Sequence, residues 1–196
     1  YELCQAVKQS EVLNHIPVVI VTARTSQDDK LRGLQMGVDA YIYKPFDAEE
    51  LAVTVGNLLE KNRLLRERYM KAAAEHQPDA EAALPPQDRA FLDRVNAIVE
   101  KEMNDGNVTV DTVATALCLS PAQFRRKLTA VSGSTPAAYI RTRQMYAAQH
   151  LLDNRPDLTI NEVAMRCGFY DMSHFTRVFK QTIGMTPTQY RKGEEG

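Results

Sequence analysis

The chain has 196 residues, of which 44% are apolar and 25% charged, and its formal net charge is −1. These values are ordinary for a globular protein of one or two domains and exclude a collagen-like or an intrinsically disordered chain. No apolar run approaches the roughly 18 residues of a membrane span, and no secretory signal is expected. The 3 cysteines, Cys4, Cys118 and Cys167, fit neither a disulfide framework nor a zinc site, so we expect small buried side chains in a reducing cytoplasm.

The first sixty residues alternate between helix and strand. Residues 1–14 have the spacing of a helix, and the β-branched run at 18–21 and the segment AYIYKPF at 40–46 are predicted to be strands. A helix over 26–36 separates the strands, and Asp47 is predicted to cap a long helix after the second strand. Strand, helix, strand and helix at this spacing predict parallel strands of an α/β sheet.

Three residues of this part carry a resemblance to a known family. Over residues 1–62 the chain resembles the second half of the CheY-like receiver domain of two-component response regulators, a doubly wound α/β fold. The resemblance places Thr22 on the phosphate-sensing hydroxyl residue, Tyr41 on the aromatic residue that changes rotamer on activation, and Lys44 on the lysine that contacts the phosphoryl group. It also implies a cis peptide bond between Lys44 and Pro45.

The acidic residues that the receiver family uses for phosphorylation have no counterpart in this chain. The family carries its metal-binding acidic pair and its phospho-accepting aspartate on strands that are absent here, so we expect no phospho-acceptor, no metal site and no cofactor. A Mg²⁺ ion is implied only for an intact receiver domain. The aspartates that are present are interpreted as helix caps or solvated charges: Asp28, Asp29, Asp39 and Asp47.

Half of a doubly wound sheet has an exposed edge. The strand at 18–21 lacks its inner neighbour, so we expect the chain to be a piece of a longer protein and its apolar edge to be covered by pairing or swapping with a second copy.

A heptad-like seam follows along the long helix. Its members are spaced 4, 3, 4, 3 and 4 residues apart and are Leu51, Val55, Leu58, Asn62, Leu65 and Tyr69. This spacing predicts a homodimeric coiled coil with a polar residue at one core position. The alternative is that residues 51–59 pack on the sheet and the remainder is a solvated helix. The proline-containing stretch EHQPDAEAALPPQD then indicates a linker, so that 63–87 form a connector between two domains.

Residues 88–196 are predicted to form an all-α domain of seven helices. Their expected ranges are 88–103, from about 110, 122–131, 136–152, 160–166, 171–182 and 187–192. This part holds 14 Lys and Arg against 12 Asp and Glu, while residues 1–87 hold 10 against 13. Its charge alone therefore does not establish binding to a nucleic acid.

The same pattern occurs twice in this C-terminal part. Thr109 corresponds to Thr159 at an offset of 50 residues, and Arg126 corresponds to Arg177 at an offset of 51. Each copy reads as a short helix, a turn and a second helix with basic residues, which indicates two helix-turn-helix units. Such units place their second helix in the major groove of DNA.

The string CGFYDMSHFTRVFKQTIGMTPTQYR in the second copy resembles the signature of AraC/XylS-type DNA-binding domains. The resemblance covers residues 88–196 and implies two recognition helices, held about 34 Å apart by a rigid connecting helix. It implies groove-facing side chains in both copies, namely Ala122, Arg125, Arg126, Met172, Ser173, His174 and Arg177.

The groove-facing residues differ in what they offer to DNA. Arg126 and Arg177 are the first candidates for pairing with guanine, although each can instead contact only phosphate. Lys127 and Lys180 are expected to contact phosphate or solvent, and Ala122 offers only a methyl group. His174 either donates to a base or phosphate or has no role in binding.

These observations predict a sequence-specific transcription regulator, with double-stranded DNA as its partner. We expect it to be the output end of a two-component phosphorelay protein, served by an upstream histidine kinase in cis or in trans. In the cis case the parent is a hybrid sensor anchored in the inner membrane. The 4 scattered histidines and the lack of a glycine-rich phosphate loop predict that this chain is not an enzyme. The alternative is a scaffold that binds protein rather than DNA.

Overall fold

The computed structural model describes residues 2–10, 12–23, 37–74, 84–106 and 108–193, with the backbone alone for 68–74. By packing, the chain divides into two compact units. The first comprises Tyr1–Phe91 with Arg126–Gly133, and the second comprises Leu92–Arg125 with Ser134–Gly196. The domain boundaries at 62 and 87 stay predictions, because units of packing need not coincide with units of sequence.

The N-terminal elements are α1 (Glu2–Gln9), β1 (Val19–Thr22), β2 (Ala40–Tyr43) and α2 (Ala48–Ala74). The two strands pair in parallel, with Val19 opposite Ala40 and Thr22 opposite Tyr43. Parallel pairing confirms the predicted crossover between the strands. The helix predicted within that crossover, with Ser26 as its cap and Asp28 and Asp29 in its first turn, lies outside the described residues.

The first helix is shorter than predicted. It ends at Gln9 rather than near residue 14, because the hydroxyl of Ser10 accepts hydrogen bonds from the backbone N–H groups of Val12 and Leu13, both at 3.3 Å. A serine side chain that bonds its own backbone in this way competes with helical hydrogen bonding. Asn14 and His15 therefore lie in a turn.

Of the two aspartates that the structure describes in this part, Asp47 is a helix cap as predicted, whereas Asp39 binds a backbone N–H and a lysine. Asp47 accepts a hydrogen bond from the backbone N–H of Glu50 at 2.6 Å and so caps α2. Asp39 accepts from the backbone N–H of Val18 at 2.7 Å and pairs with Lys8. Both carboxylates therefore hold backbone ends in place rather than forming an acidic site.

The predicted seam of α2 packs partly against its own chain. The side chains of Leu51, Leu58, Asn62 and Leu65 are half-buried, and Val55 is 37% exposed. This burial favours the alternative in which that face of the helix packs within the chain. The homodimer and the swapped receiver halves stay predictions, and the side chain of Tyr69 is not among those described.

In the part of the chain after residue 83 that the structure describes, the elements are seven helices, as predicted. They are α3 (Pro86–Asn104), α4 (Val110–Ala116), α5 (Pro121–Ser132), α6 (Pro136–Asn154), α7 (Ile160–Arg166), α8 (Met172–Ile183) and α9 (Pro187–Lys192). Threonines begin four of them: the side chains of Thr109, Thr135, Thr159 and Thr186 each accept a backbone N–H three residues on. Because such caps are written locally in the sequence, the predicted helix ends are close to those observed.

An apolar cluster within the second compact unit packs the last four helices, α6 to α9, against one another. Phe169, Phe175, Phe179 and Tyr190 form a series in which neighbouring ring centroids lie 5.4 to 5.7 Å apart. Helix α6 contributes Met145, Ala148 and Leu152 to the same cluster. Leu152 is buried in this cluster, whereas the neighbouring Leu151 is only half-buried.

The cysteines differ more than predicted. Cys167 is fully buried, and burial raises the pKa of its thiol to about 12. Cys4 is half-buried and Cys118 is exposed, so the expectation of three buried cysteines was wrong for these two. Among the residues that the structure describes, no helix is long and apolar enough to cross a membrane, and no cluster of acidic, histidine and cysteine side chains could hold a metal ion.

Candidate nucleic-acid interface

The first helix-turn-helix unit consists of α4 and α5. Between them the chain turns through Cys118, which has a left-handed φ of 57° although it is not a glycine. The backbone N–H of Leu119 then donates to the carbonyl of Ala114 at 2.9 Å. Helix α5 begins with a reciprocal cap, since Ser120 Oγ accepts from the N–H of Gln123 at 3.2 Å and Gln123 Oε1 accepts from the N–H of Ser120 at 2.9 Å.

The second unit, α7 and α8, repeats this turn with different residues. Gly168 has a φ of 80°, and the backbone N–H of Phe169 donates to the carbonyl of Ala164 at 2.9 Å. Asp171 caps α8 by accepting from the N–H groups of Ser173 at 2.8 Å and His174 at 3.1 Å. These hydrogen bonds lower the pKa of the Asp171 carboxyl, so it is ionised at neutral pH. Its negative charge interacts favourably with the positive end of the helix dipole.

The two faces of α5 have opposite character. Phe124, Leu128 and Val131 are buried. The predicted groove-facing residues Ala122, Arg125 and Arg126 are exposed. Because residues three and four positions apart share a face of a helix, these exposed side chains form one surface opposite the apolar stripe.

The structure contradicts the predicted role of Lys127 as a DNA contact. Its side chain is 0% exposed, and its ammonium group pairs with Asp88 at 2.6 Å. Helical spacing explains the burial, because Lys127 lies three residues after Phe124 and four before Val131, on the apolar face. Because the ammonium group of Lys127 is buried in an ion pair, it cannot reach a phosphate, and Lys127 is not part of the candidate interface.

Helix α8 presents a longer polar face than α5. Ser173, His174, Arg177 and Lys180 are exposed, while Phe175, Val178 and Phe179 are buried. Ser173, Arg177 and Lys180 are spaced four and three residues apart, so they share one face of the helix. Nothing in the described contacts draws these three side chains away from a ligand surface.

Met172 and His174 are more constrained than the sequence suggests. Met172 is half-buried and packs against the apolar cluster of the second unit, which leaves only part of its side chain for the groove. The imidazole ring of His174 packs edge-on against Phe169, with ring centroids 5.5 Å apart. His174 is therefore exposed but oriented by a neighbour in the turn.

The connecting helix α6 contacts the second turn directly. Gln144, which is buried, donates from Nε2 to the carbonyl of Cys167 at 2.8 Å. Tyr139 at the other end of α6 donates to Asn96 of α3 at 2.9 Å. Neither residue was predicted from the sequence, where the signal is a polar side chain at a helical position that faces the core. They tie the connector to the elements that carry the turn and the core.

The predicted receiver switch residues lie at the ends of the two strands. Thr22 is the last residue of β1, and its carbonyl accepts from the backbone N–H of Lys44 at 2.8 Å. Tyr41 lies in β2 and is half-buried, while the Lys44 side chain is exposed and its bond to Pro45 is cis, as the resemblance implies. The two strands thus bring Thr22 and Lys44 together at one edge of the sheet.

Two family models match the chain. Residues 113–193 match a helix-turn-helix domain, and residues 1–56 match the response regulator receiver domain. Histidine kinase P4 of Formosa agariphila is 30% identical over 190 residues, which are 97% of this chain and 14% of that protein. The transcriptional activator NphR of a Rhodococcus species is 34% identical over 101 residues, or 52% of this chain and 30% of the activator.

The chain spans only part of its curated relatives. The HTH-type transcriptional activator RhaS of Escherichia coli is 33% identical over 45% of this chain and 32% of its own length. Among solved structures, the C-terminal domain of AraT, a response regulator from Geobacillus stearothermophilus, is 27% identical, covering 56% of this chain and 87% of that chain. The TM-score of this comparison is 0.48.

Both matched families consist of regulatory domains rather than enzymes, and the helix-turn-helix match extends over both units. Residues 1–56 therefore belong to part of a response regulator receiver domain, and residues 113–193 belong to an AraC-type helix-turn-helix DNA-binding domain.

Proposed function

We propose that this chain is the DNA-reading output end of a two-component signalling protein and recognises two short DNA motifs, one with each helix-turn-helix unit. The observation that carries the proposal is the correspondence of the two units. Arg126 and Arg177 occupy the same position of the repeat and are both exposed on helices whose other face is buried. In this reading, α5 and α8 enter successive major grooves.

The side chains that face solvent on these two helices have different proposed roles in binding DNA bases and phosphates. Arg126 and Arg177 are the base-reading residues, because a guanidinium can pair with O6 and N7 of guanine. Arg125 and Lys180 neutralise phosphates, and Ser173 and His174 are adjacent hydrogen-bonding groups. Ala122 contributes at most a methyl contact, and Met172 contributes only its exposed part.

For the parent protein we propose a hybrid sensor in which a histidine kinase precedes the receiver domain in the same chain. The alignment with histidine kinase P4 supports this arrangement, because it extends over 97% of this chain. The N-terminal α/β part is then half of a doubly wound receiver sheet within residues 1–62, and residues 63–87 connect it to the DNA-binding part. The phospho-accepting aspartate and the Mg²⁺ site belong to the other half.

The test is a selection of random duplex DNA with this chain, followed by affinity measurements on the selected sequence. We expect two short motifs about one helical turn of DNA, roughly 10 base pairs, apart. Arg126→Ala should remove the preference for one motif and Arg177→Ala the preference for the other, each weakening binding about tenfold to a hundredfold. The affinity should also fall steeply with salt, because binding to phosphates releases counterions.

The matched control is Arg155→Ala. Arg155 is also an exposed arginine of the C-terminal part, but it pairs with Asp157 and lies on neither recognition helix. It should leave both motifs and the affinity unchanged. Failure of the selection, together with salt-insensitive binding of a protein, would instead support the scaffold alternative.

A further inference from the structure

The buried ammonium group of Lys127 is not a requirement of the helix-turn-helix fold. At the offset of 51 residues that aligns the two recognition helices, Lys127 corresponds to Val178. Both positions are buried, with side chains 0% and 2% exposed. The second unit therefore fills the same position with an apolar side chain. Burying a charge costs free energy unless the charge is paired. The first helix-turn-helix unit therefore bears a desolvation cost that is absent from the second.

The partners of Lys127 come from two other segments of its compact unit, which comprises Tyr1–Phe91 and Arg126–Gly133. Its ammonium donates to Asp88 Oδ1 of α3 at 2.6 Å and to Asn14 Oδ1 in the turn that follows α1. It also lies 5.4 Å from the ring centroid of Phe91. Asn14 in turn donates from Nδ2 to Gln87 Oε1 at 2.7 Å. We call these five residues, Asn14, Gln87, Asp88, Phe91 and Lys127, the Lys127 cluster.

The surroundings favour a single positive charge in the Lys127 cluster. His15 neighbours Asn14 in the turn, and its pKa is lowered by burial and then by the positive charge of Lys127. It is therefore neutral at neutral pH and does not compete with Lys127 for the carboxylate of Asp88. The ammonium is left to connect the turn after α1, the start of α3 and helix α5.

The Lys127 cluster holds α5 from behind. At about 100° per residue, Lys127 lies roughly 160° around the helix from Arg125 and about 100° from Arg126. The cluster therefore leaves the exposed arginine face open and does not block it. What it constrains is the position and stability of the helix that presents those arginines.

We propose that Lys127 is a positioning residue for DNA reading and that it makes the first helix-turn-helix unit, but not the second, dependent on the turn after α1 in the receiver-family part. The inference rests on the proposed function, since it assumes that α5 reads DNA. A movement of Asn14 is transmitted to α5 through one ammonium group. Val178 cannot form such an ion pair, so α8 recognises its DNA motif independently of the receiver-family part.

The test uses Asn14→Ala, which removes an acceptor of Lys127 without altering any helix of the C-terminal part. We expect binding of the Arg126-dependent motif to weaken about threefold to tenfold, while the Arg177-dependent motif is unaffected. Backbone amides of α5 should exchange with solvent faster by a similar factor, and those of α8 at the original rate. Asn57→Ala, an exposed asparagine of α2, is the matched control and should change neither readout.

A double-mutant cycle with Lys127→Met isolates the contact. If Asn14 acts through Lys127, adding Asn14→Ala to Lys127→Met should cause no further loss at the Arg126-dependent motif. Additive effects of the two changes, equal effects on both units, or an unchanged exchange rate in α5 would each overturn the proposal. If the unaltered chain selects no DNA sequence, the proposed function fails, and the exchange rates still decide whether Asn14 controls α5.

Discussion

The two helix-turn-helix units share one backbone design but solve two local problems with different residues. The first unit turns through Cys118 and buries Lys127, whereas the second turns through Gly168 and buries Val178. In the second unit, Gly168 adopts the left-handed turn without the strain that a Cβ causes, and Val178 avoids the cost of burying a charge. The recognition helix of the first unit is held by an ion pair to α3 and a hydrogen bond to the turn after α1, whereas that of the second packs in an apolar cluster to which α6 and α9 contribute.

Exchanging the buried residues should have the largest effect. Val178→Lys places an ammonium without a carboxylate in the apolar cluster around Phe175 and Phe179, and we expect the free energy of unfolding to fall by about 3–5 kcal/mol. Urea unfolding followed by circular dichroism measures the change. Val178→Met is the control, with an expected loss of about 1 kcal/mol. A lysine tolerated as well as methionine would mean that the second unit also supplies a partner for the charge.

A substitution at the second turn should have the next largest effect. Gly168 has a φ of 80°, and an added Cβ would lie 3.0 Å from Val108 Cγ1 and 3.3 Å from Gln144 Nε2. Gly168→Ala should therefore lower the unfolding free energy by about 1–3 kcal/mol. Cys118→Ala is the matched control in the first turn and should change it by less than about 0.5 kcal/mol, because that site already carries a Cβ. Equal losses at the two turns would contradict this difference.

The reverse change at the first turn should stabilise the protein. Cys118 has a φ of 57°, a region that disfavours any residue with a Cβ. Cys118→Gly relieves that cost but adds freedom to the unfolded chain, so we expect a net gain of about 0.5–1 kcal/mol. The midpoint of thermal unfolding should rise for glycine and stay unchanged for Cys118→Ser. A lower midpoint for the glycine variant would show that the left-handed turn carries no strain.

The caps of the two recognition helices should differ in their response to acid. Asp171 caps α8 with a carboxylate whose pKa is lowered by hydrogen bonds from the N–H groups of His174 and Ser173. Its contribution is therefore complete at neutral pH and is lost as the pH falls through the folded-state pKa, below the ordinary 3.8. Asp171→Asn should be less stable than the parent at about pH 7, and the difference should shrink by about pH 3.

Ser120→Ala is the comparison for the neutral cap of α5. Ser120 and Gln123 form its cap without a titrating group. We expect the loss, about 1 kcal/mol, to be the same at both pH values. A pH-independent difference for Asp171→Asn would show that its charge does not contribute to the cap.

Much of the fold was predictable because the signals are local. Threonine caps, left-handed turn residues and the three-and-four spacing of apolar side chains lie within a few residues of the helices that they define. The parallel pairing of β1 and β2 also followed from the alternation of strand and helix. The end of α1 was mispredicted because the side chain of Ser10 accepts hydrogen bonds from the backbone before the predicted end of the helix near residue 14.

The candidate interface was less predictable, because exposure depends on residues that are distant in sequence. Arg125, Arg126 and Lys127 are consecutive cations, and chemistry alone assigns all three to DNA. Helical spacing would have moved Lys127 to the apolar face, but a lysine there is unexpected without a partner. His174 and Met172 were likewise constrained by side chains of the turn and the cluster that no periodicity identifies.

By itself the sequence determined the receiver resemblance, the two helix-turn-helix units, their caps and the arginines at corresponding positions. These depend on residue types at short spacing, which fix hydrogen bonds and helix faces locally. Only the tertiary structure decided that Lys127 is buried, since its partners Asp88 and Asn14 lie 39 and 113 residues away in the chain. A buried charge is tolerated only where folding brings such groups to it, and that meeting is a property of the packed chain.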